Sequence, residues 1–162
     1  MRCLMFNTKE IEFERGDCAN RPNGVISVPS DIDSSKFHSV TIVFICIEEG
    51  DNKGDSMIIL DEIRKYYDDH KLPVLVVPFA HLSSNVECSS KVAYQHIKFI
   101  SDKLMNENIS EKGAIGFGYD RAFIAKWVTI LHKGNVAFRD SRRAVGYHAV
   151  SHLTKLSLVG AS

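Results

Sequence analysis

His81 lies in the string VLVVPFAHLSS, residues 74–84, where an apolar run stops at Pro78 and opens into a short polar loop. In open α/β sheets ligands collect in the crevice beyond the carboxyl ends of strands, so a histidine there is a first candidate for chemistry. Its plainest alternative is a structural loop histidine. Ser83 and Ser84 follow closely, but no G-x-S-x-G elbow and no acidic residue placed to orient the imidazole accompany them, which argues against a nucleophilic serine. Residues 113–123, GAIGFGYDRAF, form a second candidate loop, with glycines, three aromatics and the cation of Arg121. Gly113, Gly116 and Gly118 read G-x-x-G-x-G, the wrong order for a dinucleotide fingerprint, and suit close backbone approach to a ligand or a strand bulge instead. His148 and His152 are four apart like a metal pair, yet Ala149-Val150-Ser151 lacks the glutamate of H-E-x-x-H. The two loops are expected to face one another across a single pocket.

A chain of 162 residues, 44% hydrophobic and 25% charged, can supply one globular core around such a pocket. Its longest apolar runs are too short to span a bilayer, and the start, MRCLMFN, reads as a strand and not as a signal peptide. The expectation is a soluble, cytoplasmic protein with no membrane contact. Cys3, Cys18, Cys46 and Cys88 show no C-x-x-C spacing, so neither disulfides nor a zinc site is expected. Zero net charge hides an asymmetry: residues 112–143 hold seven Lys and Arg against two Asp and Glu, while residues 1–111 hold 12 against 18. A local positive excess suits a polyanion end, although a solvated charged face has the same composition.

The elements that must hold these loops follow from periodicity. Residues 2–6 and 10–14 read as short strands joined by a hairpin at Asn7-Thr8-Lys9, with Ile11 and Phe13 alternating against Glu10, Glu12 and Glu14. Residues 16–37, rich in Asp, Asn, Ser, Gly and Pro, read as a surface loop. Residues 40–47, VTIVFICI, fit a central strand buried on both faces, ended by Glu48, Glu49 and Asp51. Asp55 is placed to cap a helix that buries Ile59, Ile63 and Tyr66 and turns Asp61, Glu62, Arg64 and Lys65 outward. Pro73 closes its connection to the strand from Val74. Ser89 or Ser90 opens a second helix with Val92, Ala93, His96, Ile97, Ile100 and Leu104 inward. A β region from Ala114 ends in a hairpin with arms at 122–131 and 135–138 around Lys133-Gly134.

The strings VLVVPFAHLSS and GFGYDRAF, preceded by MRCLMFN-TK-EIEFE, resemble the N-terminal editing domain of archaeal threonyl-tRNA synthetase over roughly residues 1–143. The resemblance implies an α/β D-aminoacyl-tRNA deacylase-like fold, a mixed β-sheet or partial barrel packed with two main helices. It implies proofreading hydrolysis of L-seryl-tRNA(Thr). A synthetic site built for threonine cannot sterically exclude the smaller serine, and one methylene discriminates by only about 1–3 kcal/mol, so a second sieve is needed. By resemblance the pocket is lined by Ile47, Pro78, Phe79, Ala80 and Phe117, with main-chain groups reading the amino acid and Gly118, Tyr119 and Asp120 adjoining. His81 and Arg121 would be the catalytic groups. An aminoacyl ester is already activated, so placing a water and stabilising the oxyanion suffices, with a ribose hydroxyl of the terminal adenosine assisting. No metal and no cofactor is implied. The implied partners are the 3′-terminal aminoacyl-adenosine of tRNA, the remainder of the synthetase, and a second copy in a homodimer.

Arg121 stands where the family has lysine, Asp120 where it has tyrosine, and Arg139 where an acidic residue falls, with Asp140 beside it. A guanidinium keeps the charge but is planar and permanently protonated, so any lysine role in proton transfer is open. Hydrolysis of D-aminoacyl-tRNA and a non-catalytic tRNA-docking module both stay open. Residues 144–162 lie beyond the resemblance, as a linker, the start of a following region or an appended tail.

Overall fold

The computed structural model describes residues 1–15, 34–79, 82–84, 90–110, 123–130 and 137–142. In chain order these form β1 (Arg2–Arg15), β2 (Ser34–Cys46), α1 (Lys53–His70), β3 (Val74–Pro78), α2 (Ser90–Asn106), β4 (Phe123–Ile130) and β5 (Ala137–Asp140). They build one mixed sheet in the order β3-β2-β1-β4, with β5 also paired to β1. β2 and β3 are parallel, joined through α1, and the other pairs are antiparallel. Among the described residues the sheet stays open, and the architecture is the expected α/β fold with two main helices.

β2 is central because it can be buried on both sides. Residues 41–47 are all buried, as the nearly continuous apolar run requires. One face carries Val43, Ile45 and Ile47, which pack with Met1, with Cys3 and Met5 of β1 and with Ile59, Leu60, Ile63, Ile97, Ile100 and Leu104 of the helices. The other face carries Ile42 and Phe44, which pack with Phe6, Ile11, Leu75 and Val77 and with half-buried Leu4, Phe37, Phe79 and Leu82. α1 starts at a capping box in which Asn52 accepts from the Gly54 N–H at 2.7 Å and Asp55 accepts from the Asn52 N–H at 2.9 Å. It ends at Lys71, whose φ of 55° is left-handed and whose N–H returns to the Tyr67 carbonyl.

Five expectations are corrected. Asn7-Thr8-Lys9 is not a hairpin: β1 runs through it, with Asn7 and Thr8 buried and only Lys9 exposed, at a register shift against β4. These polar side chains are satisfied inside the sheet, Asn7 Oδ1 accepting from Thr41 Oγ1 at 2.8 Å and Thr8 Oγ1 donating to the Val40 carbonyl at 3.0 Å. Residues 34–37 belong to β2 and pair with residues 11–14; residues 16–33 lie outside the described residues. The cap of α1 is Asn52, with Asp55 three positions inside as its reciprocal partner. Val92 faces outward at 39% exposure, while Ile97, Ile100 and Leu104 are buried as expected. Finally, β4 and β5 do not pair as a hairpin: β4 pairs with residues 8–15 of β1 and β5 with residues 2–5, so the two run end to end along one edge of β1. A strand of 14 residues is long enough to accept both in succession.

Candidate functional site

β2 and β3 end side by side. The last pair in register is Ile45 with Pro78, and the Phe79 N–H donates to the Ile45 carbonyl at 2.8 Å. β3 is anchored at its start as well, because Thr41 N–H reaches the Pro73 carbonyl and Val74 N–H the Ile109 carbonyl. Of the expected pocket residues, Ile47 is buried on the helical side, Phe79 packs its ring on Phe44 at 4.7 Å on the opposite side, and Pro78 is half-buried between them in sequence. These two side chains therefore stand on different faces of the sheet. What the two strand ends bring to one place is backbone, which fits recognition by main-chain atoms. Ala80, His81, Phe117, Gly118, Tyr119, Asp120 and Arg121 lie outside the described residues.

Beyond β2 the chain enters a charged cluster that ties four segments together. Glu48 is 4% exposed. Its Oε1 accepts from Ser83 Oγ at 2.5 Å and lies 3.2 Å from Arg2 Nε, and its Oε2 accepts from the Met1 ammonium at 3.1 Å. The Arg2–Glu48 approach is an ion pair without hydrogen-bond alignment at Nε. Arg2 instead donates through Nη1 to the Leu82 carbonyl at 3.1 Å. Asp51 accepts from the Glu48 N–H, the Met1 ammonium and Arg142. Burial pushes the Glu48 carboxyl up, but its hydrogen bonds from Ser83 and the ammonium outweigh that and hold it below the usual carboxylate range. Nothing in the spacing of the chain signals this cluster, because the partners of Glu48 are 35 and 47 residues away.

Alternation along β5 decides which side its two charges face. Arg139 pairs across the sheet with Cys3 and reaches Glu62 of α1 at 2.5 Å, on the helical side. Asp140 pairs with Arg2 and lies 3.5 Å from its Nε, on the side where Leu82 packs. Of the two β5 charges, Asp140 and not Arg139 thus lies on the Leu82 side, one residue past the position the resemblance marks. Arg139 and Arg142 spend their charge on Glu62 and Asp51, so these two members of the basic excess are neutralised within the protein. Cys3 and Cys46 are buried, and burial pushes the Cys3 thiol up to about 12, as for an inert core thiol. Ser56 Oγ and His96 Nδ1 are 2.7 Å apart, but Ser56 is fully buried and the contact joins α1 to α2. Among the described residues no three His, Cys, Asp or Glu side chains are grouped to hold a metal. Among them, too, no helix is long and apolar enough to cross a membrane.

Comparison with curated proteins gives no match. Residues 1–129 match the family described as the archaea-specific editing domain of threonyl-tRNA synthetase. That match takes in β1, both helices, the paired ends of β2 and β3, and most of β4. With four-fifths of its length covered, the chain belongs to the family of archaea-specific editing domains of threonyl-tRNA synthetase.

Proposed function

We propose that this editing domain hydrolyses L-seryl-tRNA(Thr), the ester that a threonine-specific synthetic site makes in error. The carrying observation is the pair of parallel strand ends at Ile45 and Pro78, joined by the Phe79 N–H, in a chain of the editing family. Backbone held in a sheet cannot move aside, and a wall of that kind suits a pocket that takes a hydroxymethyl side chain and refuses its methylated homologue. The main chain at Ile47, Pro78, Phe79 and Ala80, together with Phe117, lines this pocket, with Gly118, Tyr119 and Asp120 beside it. His81 hydrogen-bonds the terminal nucleotide or the attacking water. Arg121 supplies a fixed positive charge where the substrate is most anionic. The water is oriented by main-chain groups and by the ribose hydroxyl of the terminal adenosine, so the domain needs neither metal nor cofactor. The editing unit comprises residues 1–143, works in the cytoplasm as a homodimer, and receives its tRNA from the remainder of the synthetase.

The test is release of serine from L-seryl-tRNA(Thr) and from its D-seryl counterpart. Rapid release from the L ester is the expected result. Release from the D ester alone assigns the chain to D-aminoacyl-tRNA hydrolysis, and binding of an acceptor-stem mimic with no release from either assigns it to docking.

A further inference from the structure

We propose that Glu48 is a positioning residue for the editing reaction, which deepens the reading above and rests on it. The chain immediately following His81 is held at two points, and both lead to one carboxylate. Ser83 donates its hydroxyl to Glu48 Oε1, and the Leu82 carbonyl accepts from Arg2, whose guanidinium is ion-paired to the same oxygen at 3.2 Å. Glu48 itself cannot drift. It follows the pocket residue Ile47 at the end of the central strand, its backbone N–H is fixed by Asp51 at 2.6 Å, and its second oxygen is held by the Met1 ammonium. A buried carboxylate with both oxygens engaged transmits the position of β2 to residues 82 and 83 without taking part in the chemistry. Hydrogen bonds to a charged group are the strong ones, so replacing the carboxylate by an amide of the same shape loosens the clamp and leaves the packing in place.

Three variants test this in the full chain: Glu48→Gln, Ser83→Ala and their combination. Glu62→Gln, which breaks the Arg139 pair on the opposite face of the sheet, serves as the control for stability alone. The expected result for Glu48→Gln is a fall in kcat of about tenfold or more on L-seryl-tRNA(Thr), with KM within about twofold, because positioning is spent on the transition state. Ser83→Ala falls in the same direction, and the double variant falls no further than Glu48→Gln, since the two act through one contact. Glu62→Gln keeps the wild-type kcat. Amide hydrogen exchange at residues 82–84 quickens in Glu48→Gln while that of α1 does not. Unchanged kcat in Glu48→Gln, or exchange that quickens in α1 as much as at residues 82–84, overturns the proposal. Should the wild-type chain leave the seryl ester intact, the editing reading fails and the positioning role with it. Quickened exchange confined to residues 82–84 would still record the clamp, so the two failures are distinguishable.

Discussion

At the scale of single residues, the groups proposed to meet the substrate are distinct from those that hold the frame. His81→Ala is expected to slow serine release about 10²-fold, the lower end of what a placed acid, base or water-orienting side chain contributes. If Arg121 acts as a charge, Arg121→Lys stays within about threefold of wild type. Arg121→Ala then loses about ten- to a hundredfold, the worth of one charge-assisted hydrogen bond. Both follow from initial rates on L-seryl-tRNA(Thr). The frame has its own signature in acid. Burial raises the carboxyls of Glu48, Asp55 and Glu62, but the hydrogen bonds of Glu48 to Ser83 and Met1, of Asp55 to Ser141 and Asn52, and of Glu62 to Lys65 and Arg139 lower them further. Each folded value therefore lies below the unfolded one, about 4.3 for Glu and 3.9 for Asp. Their contribution is complete above those unfolded values and is lost as pH falls through the folded ones. The thermal midpoint should be level from about pH 7 to 5 and drop below about pH 4. Glu62→Gln should start lower and drop less; an equal acid slope in both proteins would contradict this.

At the scale of elements, local sequence was legible where burial and periodicity agree. The run VTIVFICI is the central strand, and Ile59, Ile63 and Tyr66 are the buried stripe of α1. It misled where polar residues find partners across the sheet. Asn7-Thr8-Lys9 has turn composition, yet Thr41 and Val40 satisfy Asn7 and Thr8 from the neighbouring strand, a fact invisible before the strands are paired. Thr41→Val removes the donor to Asn7 and leaves a buried amide oxygen short of a partner, which should cost about 1–3 kcal/mol in denaturant unfolding. Asn52→Ala, which deletes the side-chain half of the α1 cap, should cost about 1 kcal/mol. The same blindness produced the misplaced hairpin, since a Lys133-Gly134 turn signal says nothing of β1 offering one long edge to β4 and β5 in turn.

At the scale of the whole molecule, the proposed editing site lies where β2 and β3 run out, and a charged cluster behind that point ties in the start of β1, the segment after β3 and the end of β5. The strand ends were legible because an apolar run stopping at proline is a local signal. Glu48 looked like a strand stop, and its proposed role rests on partners supplied by distant segments. Alternation along β5 likewise turns Asp140 toward the Leu82 side and Arg139 toward α1, a separation that the two adjacent letters do not signal. Rigid backbone at these strand ends is proposed to admit serine and refuse threonine. This is tested most directly by initial deacylation rates of L-seryl-tRNA(Thr) and L-threonyl-tRNA(Thr) side by side. The seryl ester should be cleaved more than about tenfold faster; equal rates, or no cleavage of the seryl ester, would overturn the proofreading role.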